Sequence, residues 1–259
     1  MARPIFYSMI IKIVLYPLIV YFSLIAILLF FQNSLIYFPD PTQLTPAQAG
    51  VPDMEVVELK TEDSLTLKAW YKAPTEGRPT IVYFHGNGGN IANRAFVARG
   101  FIDLGYGFLL VEYRGYGGNP GRPTEEGLYE DGRAAMRFVL GDVVLYGESL
   151  GSAVAVQMAL EYKVRAMVLQ SPFTTLYEVA YYHYPFFPSL LRDKYDSVSK
   201  ASRISVPVLV LVGGADELIP PAMGESLLSQ FRGFKQYILV PHATHNDLFA
   251  PALVDTFLK

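Results

Sequence analysis

The 259-residue sequence contains no cysteine. That absence excludes a catalytic thiol, a disulfide framework, a zinc–thiolate site and a lipidated cysteine, and it leaves the redox compartment open. Histidine is scarce as well, with four in the chain, so every candidate for a general base can be weighed individually. No run of lysine or arginine occurs. With a formal net charge of −3, the chain lacks the electrostatic footprint of a nucleic-acid binder. Internal repeats and low-complexity stretches are also missing. What is present is a chain that is 51% hydrophobic, with glycine and proline spread along it, which suits one domain with a sizeable core.

Charge is absent from Ile13 to Phe31. At about 1.5 Å per helical residue this run covers most of a hydrocarbon core of about 30 Å, and it reads as a membrane anchor occupying residues 1–34. Arg3 and Lys12 precede it, and no further Lys or Arg follows until Lys60. The positive-inside rule then puts the N-terminus in the cytoplasm and the remaining chain, 35–259, on the other side. A cleaved signal peptide is the alternative, although Ala47-Gln48-Ala49 lies far downstream for a cleavage site. A buried core helix fits less well, because the run is apolar on all sides and sits at the chain end.

Beyond it, 54–59 and 65–71 flank a polar turn and predict an antiparallel hairpin. Strands near 80–85, 107–112, 142–147, 165–170, 206–212 and 236–240 then alternate with helices near 90–102, 124–139, 150–162, 219–231 and 246–258. That alternation predicts a mostly parallel sheet with helices on both faces. Thr124 is placed to cap the second of these helices, with Glu125 and Glu126 at the positive end of its dipole.

Tyr146-Gly147-Glu148-Ser149-Leu150-Gly151 follows the apolar run Val143-Val144-Leu145. A GxSxG arises readily by chance, but here it stands where a buried strand hands over to a helix of small and apolar residues. A serine hydroxyl needs a sharp turn to present its oxygen and a base to take its proton, so Ser149 is a candidate nucleophile. A tight connection without chemistry is the alternative.

Acyl transfer also requires a base, a carboxylate to orient it, and N–H donors for the oxyanion. His85-Gly86-Asn87-Gly88-Gly89 closes an apolar run and lacks the lysine of a phosphate-binding loop. The backbone N–H groups of Asn87 and Leu150 are the candidate oxyanion hole. Asp216 follows the strongest strand signal of the second half, Val206 to Val212, and the preceding strand is followed by Gln170-Ser171-Pro172 with no carboxylate. Asp216 could alternatively only order the next helix, as aspartate favours such positions. Two histidines compete for the base, His242 and His245, and the loop placement favours His245, while His183 lies far from any strand end. The order Ser149, Asp216, His245 is that of an α/β-hydrolase and differs from the chymotrypsin and subtilisin orders.

The sequence resembles the α/β-hydrolases of the serine-aminopeptidase-like group, a group that includes single-pass membrane proteins. The likeness runs through Phe84-His85-Gly86-Asn87-Gly88-Gly89-Asn90, Glu112-Tyr113-Arg114-Gly115-Tyr116-Gly117, Gly147-Glu148-Ser149-Leu150-Gly151 and His245-Asn246-Asp247, with Tyr37-Phe38-Pro39 similar to the membrane-anchored members. It implies an α/β-hydrolase fold, and Ser149, Asp216 and His245 as the catalytic triad.

The stretch 171–199 enlarges one connection and is rich in aromatic residues. It is expected to form a small cap, with Tyr181, Tyr182, Phe186 and Phe187 as candidate substrate-binding residues or, alternatively, as ordinary packing. Arg114 reads as a structural charge pairing across loops. The expected activity is hydrolysis of carboxylic esters or thioesters of acyl or lipid-like substrates at the membrane. No metal or organic cofactor is required. A membrane-tethered binding protein on the same fold and a serine peptidase are the alternatives.

Overall fold

The structure is a computed structural model that describes residues 3–185 and 191–259, with side chains from Lys12 onward. Helix α1 (Arg3–Ile36) opens the chain and continues past the boundary expected at 34. It is one helix long and apolar enough to cross a membrane. Side chains such as Ile13, Phe22 and Phe30 are exposed along it. Its C-terminal end is different: Gln32, Ile36 and the following Tyr37 are buried against the rest of the protein.

After α1 come β1 (Phe38–Pro39), β2 (Glu55–Lys60), β3 (Thr66–Lys72), β4 (Thr80–Phe84) and β5 (Gly88–Gly89). A short 3-10 helix, Ile91–Arg94, leads into α2 (Ala95–Ile102) and β6 (Gly107–Val111). The chain then alternates through α3 (Glu125–Phe138), β7 (Val143–Glu148), α4 (Leu150–Glu161) and β8 (Ala166–Gln170). It ends with α5 (Leu176–His183), α6 (Val198–Ala201), β9 (Val208–Gly213), α7 (Pro221–Gln230), β10 (Lys235–Val240) and α8 (Pro251–Leu258).

Eight strands form one sheet in the order β10-β9-β8-β7-β4-β6-β3-β2. Strands β2 and β3 are antiparallel and β3 meets β6 antiparallel, while the pairs from β6 through β4 to β10 are parallel. Alternation along each strand divides the core into two. Val82, Phe84, Leu145 and Val210 join residues of α3, α4 and α7 on one face. Ile81, Tyr83, Val144 and Leu209 join α2 and α8 on the other. Strands covered on both sides must be apolar throughout, which is why β4, β6, β8 and β9 are uninterrupted hydrophobic runs in the sequence apart from Thr80, Gly107, Gln170 and Gly213 at strand ends. The order reverses around β4, so the carboxyl ends of β4 and β7 open a crevice at a topological switch point.

The expected elements are present with shifted ends. Thr124 caps α3, its hydroxyl accepting from the Gly127 N–H at 3.0 Å. The helix expected near 90–102 begins as 3-10, closed by a reciprocal cap between Asn90 and Asn93. The helix expected near 246–258 begins only at Pro251. Asp247 instead accepts from the Thr244 N–H and hydroxyl, at 3.1 and 2.5 Å, and turns the chain there. Proline then suits the first helical position, where no donor is needed. Within 171–199 the main element is α5, none of whose residues is buried.

Candidate active site

Ser149 sits between β7 and α4 with φ 51° and ψ −116°, a conformation that costs energy for any L-residue and projects the side chain off the end of the strand. The turn is held on both sides. The Ser149 N–H donates to the Gln170 carbonyl at 2.8 Å, and the Ser149 carbonyl accepts from the Ser152 N–H at 2.9 Å. Gly147 and Gly151 are required by close approach. A Cβ on Gly147 would meet the Gly151 carbonyl oxygen at 2.5 Å, and one on Gly151 would run into the carbonyls of Phe84 and His85. That second contact brings the end of β4 and the loop after it against the serine.

Asp216 and His245 are assembled by the loops after β9 and β10. The Gly214 N–H donates to the Val240 carbonyl at 2.8 Å and the Ala215 N–H to the Ala243 carbonyl at 3.0 Å, stitching the two loops together. Across this seam His245 Nδ1 stands 2.7 Å from Asp216 Oδ2, and its Nε2 stands 2.9 Å from Ser149 Oγ. The second carboxylate oxygen of Asp216 accepts from the N–H groups of Leu218 and Ile219 at 2.9 and 2.8 Å. Asp216 therefore both orders the segment before α7 and faces the imidazole; the two sequence readings of this residue are compatible. Burial opposes its charge, but the hydrogen bonds from His245 and the Ile219 N–H outweigh it and hold the carboxyl below its ordinary value. His242 is exposed, and His183 Nε2 is engaged by the Leu218 carbonyl at 2.9 Å.

The Asn87 N–H has no hydrogen-bond acceptor among the described residues. Leu150 is the first residue of α4, a position whose N–H has no partner within the helix. Asn87 belongs to the loop that Gly86 presses against the serine, a Cβ on Gly86 lying 3.5 Å from Ser149 Cβ. The Leu150 amide thus opens the helix beside Ser149, and Asn87 directly follows the glycine packed against the serine.

Around that loop lies a set of polar groups whose pairing no motif or spacing in the sequence predicts. Glu148 accepts from Arg94 Nη2 at 2.8 Å and from the Tyr83 hydroxyl in a short bond. His85, fully buried, lies 3.1 Å from Glu112 Oε1 through Nε2, and Glu112 Oε2 accepts from the Ile91 N–H at 3.0 Å. The Tyr113 hydroxyl donates to the His85 carbonyl at 3.1 Å. These groups fix the loop from within, the reason a charge such as Glu112 is found directly after the buried strand β6. Arg114 pairs with Asp63 of the β2–β3 turn at 2.6 Å and with Asp131 at 2.8 Å, and since Asp131 lies within α3 the link runs to a helix as well as between loops. A cavity of about 280 Å³ lies on the far side, lined among others by Gln43, Trp70, Asn90 and Glu112, and none of Ser149, Asp216 and His245 borders it.

Tyr181 and Tyr182 are exposed on α5, at 51% and 57%. The His183 contact to Leu218 sets that helix beside the Asp216 loop. Phe186 and Phe187 lie outside the described residues.

Residues 75–193 match the family described as serine aminopeptidase, S33. An uncharacterized protein of Mycobacterium tuberculosis is 40% identical over 235 residues, covering 86% of this chain and 83% of that protein. The chain belongs to the α/β-hydrolase family. Protein bem46 of Schizosaccharomyces pombe is 30% identical over 244 residues, 84% of this chain and 81% of the relative. Among solved structures, the Pyrococcus furiosus esterase Pf2001 superposes with a TM-score of 0.70 at 17% identity, over 86% of this α/β-hydrolase and 97% of the esterase. An acetyl xylan esterase from Paenibacillus gives 0.66 at 18% identity, over 86% and 96%. At such identities the likeness is one of fold.

Proposed function

We propose that this α/β-hydrolase is a membrane-anchored serine hydrolase that cleaves carboxylic esters or thioesters of acyl or lipid-like substrates through an acyl-enzyme. The observation that carries this reading is the unbroken chain of contacts from Asp216 through His245 to Ser149 Oγ, ending on a serine in a strained turn. Ser149 Oγ attacks the carbonyl carbon while His245 Nε2 takes its proton. Asp216 keeps the imidazole proton on Nδ1 and stabilises the imidazolium. The N–H groups of Asn87 and Leu150 donate to the oxyanion as it forms. Collapse expels the alcohol or thiol, which leaves with the proton from His245, and a water deprotonated by the same nitrogen releases the acid. Helix α1 serves as the anchor, with Arg3 and Lys12 favouring a cytoplasmic N-terminus and the hydrolase domain on the opposite side.

A fluorophosphonate probe tests the reading, since only an activated serine reacts. The parent should be labelled and Ser149→Ala should not. His245→Ala should lower ester turnover by about 10⁴- to 10⁶-fold, and His242→Ala should leave it near the parent. An unlabelled parent would favour the binding-protein alternative, and turnover of aminoacyl arylamides without esters would favour a peptidase.

A further inference from the structure

Asn87 is bound from two directions. It follows Gly86, which packs against the serine, while its side chain and carbonyl are tied to the end of the N-terminal helix, to the residue that leaves it, and to Tyr116. The side-chain Nδ2 donates to the carbonyl of Ile36, the last residue of α1, at 2.7 Å. The Asn87 carbonyl accepts from the Phe38 N–H at 2.9 Å and from the Tyr116 hydroxyl at 2.7 Å. Strand β1 then pairs in parallel with β5, Phe38 opposite Gly88 and Pro39 opposite Gly89, and the Asp40 N–H donates to the Gly89 carbonyl at 3.0 Å. Gly88 and Gly89 have no side chains to anchor them, and Gly89 adopts φ +82°, so at these two positions the loop is held by the external bonds, beyond the reach of the internal supports at His85.

The helix end is itself fixed to the domain. Gln32 Oε1 accepts from the Arg192 N–H at 2.8 Å, Asn33 Nδ2 donates to the Pro123 carbonyl at 3.0 Å, and the buried Tyr37 hydroxyl bonds Asp193 and Tyr195, both at 2.7 Å. The segment 36–40 is therefore a hydrogen-bonded link between α1 and the loop bearing the Asn87 N–H.

We infer that the end of the N-terminal helix and the strand after it position the Asn87 amide for the oxyanion, making the Asn87 side chain a positioning group and the helix a part of the catalytic apparatus as well as a tether. This rests on the nucleophile and oxyanion assignments proposed above. The Asn87 side chain is bonded to the helix end, so its removal keeps the backbone N–H but frees the loop that aims it.

The test uses the full-length protein in phospholipid vesicles. Asn87→Ala should lower kcat for a short-chain ester by roughly 10- to 100-fold, the effect of misplacing a donor by a fraction of an ångström to an ångström, with KM changed less than about threefold. Its affinity for an acyl trifluoromethyl ketone, which forms the charged tetrahedral adduct with the serine, should fall by the same factor as kcat/KM. Arg137→Ala cuts an exposed tie to Glu62 that involves neither α1 nor the loop and should leave both quantities within about twofold of the parent. If Asn87→Ala folds poorly, Tyr116→Phe removes the hydroxyl held by the same carbonyl and should give the same pairing of kcat with ketone affinity. Unchanged kcat and ketone affinity in Asn87→Ala, or in Tyr116→Phe where that variant stands in for it, would overturn the inference, as would equal losses in Arg137→Ala and Asn87→Ala. An active Ser149→Ala enzyme would overturn the underlying reading as well, whereas an inert Ser149→Ala beside an unaffected Asn87→Ala would remove the positioning role alone.

Discussion

Replacing Asp216 by asparagine tests the proposed chemistry through a single proton. In the parent, Oδ1 accepts from two N–H donors, Leu218 and Ile219, and Oδ2 faces His245 Nδ1. An asparagine cannot turn its NH₂ toward two amide donors, so its oxygen must keep the Oδ1 place and its NH₂ must face the imidazole. The Nδ1 atom then accepts, which drives the remaining ring proton onto Nε2, 2.9 Å from Ser149 Oγ. A protonated Nε2 cannot take the serine proton. The expected loss is about 10⁴-fold in kcat, or about 5.4 kcal/mol at 1.36 kcal/mol per decade. Stability should change little, because both N–H bonds survive. Asp216→Ala, which leaves both donors unpaired, that of Ile219 buried, should instead lose about 1–3 kcal/mol of folding stability. The assay is ester hydrolysis together with the rate of fluorophosphonate labelling, read beside the thermal midpoint. An Asp216→Asn enzyme within tenfold of the parent in kcat would refute the tautomer argument and with it the role given to Asp216.

The parts of this molecule that could be read from sequence are those written in local pattern. Val143 to Gly151 carries its strand, turn glycines and helix in nine consecutive positions, and the apolar runs ending at Phe84, Val212 and Val240 fix which loops share the sheet's carboxyl edge. His245 could be preferred over His242 because of its position relative to the strand, and the structure faces His245 toward the serine with His242 exposed. The start of α8 was less legible, since Asn246 to Ala250 looks helical until Asp247 is seen binding back to Thr244. The loop supports were not legible at all. Arg94 and Glu148, His85 and Glu112, and Asn87 and Ile36 are pairs separated by tens of residues, and no periodicity or spacing links their members. The aromatic run around Tyr181 is compatible in sequence with lining or with packing, and α5 buries none of its side chains.

A reporter fused after Lys259 should be active only on the non-cytoplasmic side, and the protein should resist high-salt extraction while yielding to detergent; a cytoplasmic signal would reverse the orientation. Tyr181→Ala and Tyr182→Ala should lower kcat/KM for long-chain esters more than for short ones, by about 1–3 kcal/mol per contact. Their thermal midpoints should stay near the parent's because both side chains are exposed, and an unchanged chain-length ratio would remove α5 from the substrate path. Acid stability should depend on the carboxylate beneath the serine. Burial opposes the charge of Glu148, but the bonds from Arg94 and Tyr83 outweigh it and lower its pKa, while Arg114 holds Asp63 at about 2. Such groups contribute stability above the unfolded values of about 4.3 and 3.9. As pH falls from there through the folded values, the unfolded chain takes up protons first and the contribution is lost. Glu148→Gln carries no titrating group at that position, so its stability at pH 7 should be lower, with Arg94 left without a buried anion, and the gap to the parent should narrow as pH drops below about 4.3. A gap that stays constant across that window, measured by thermal unfolding at each pH, would mean that Glu148 does not carry the charge that the Arg94 geometry assigns to it.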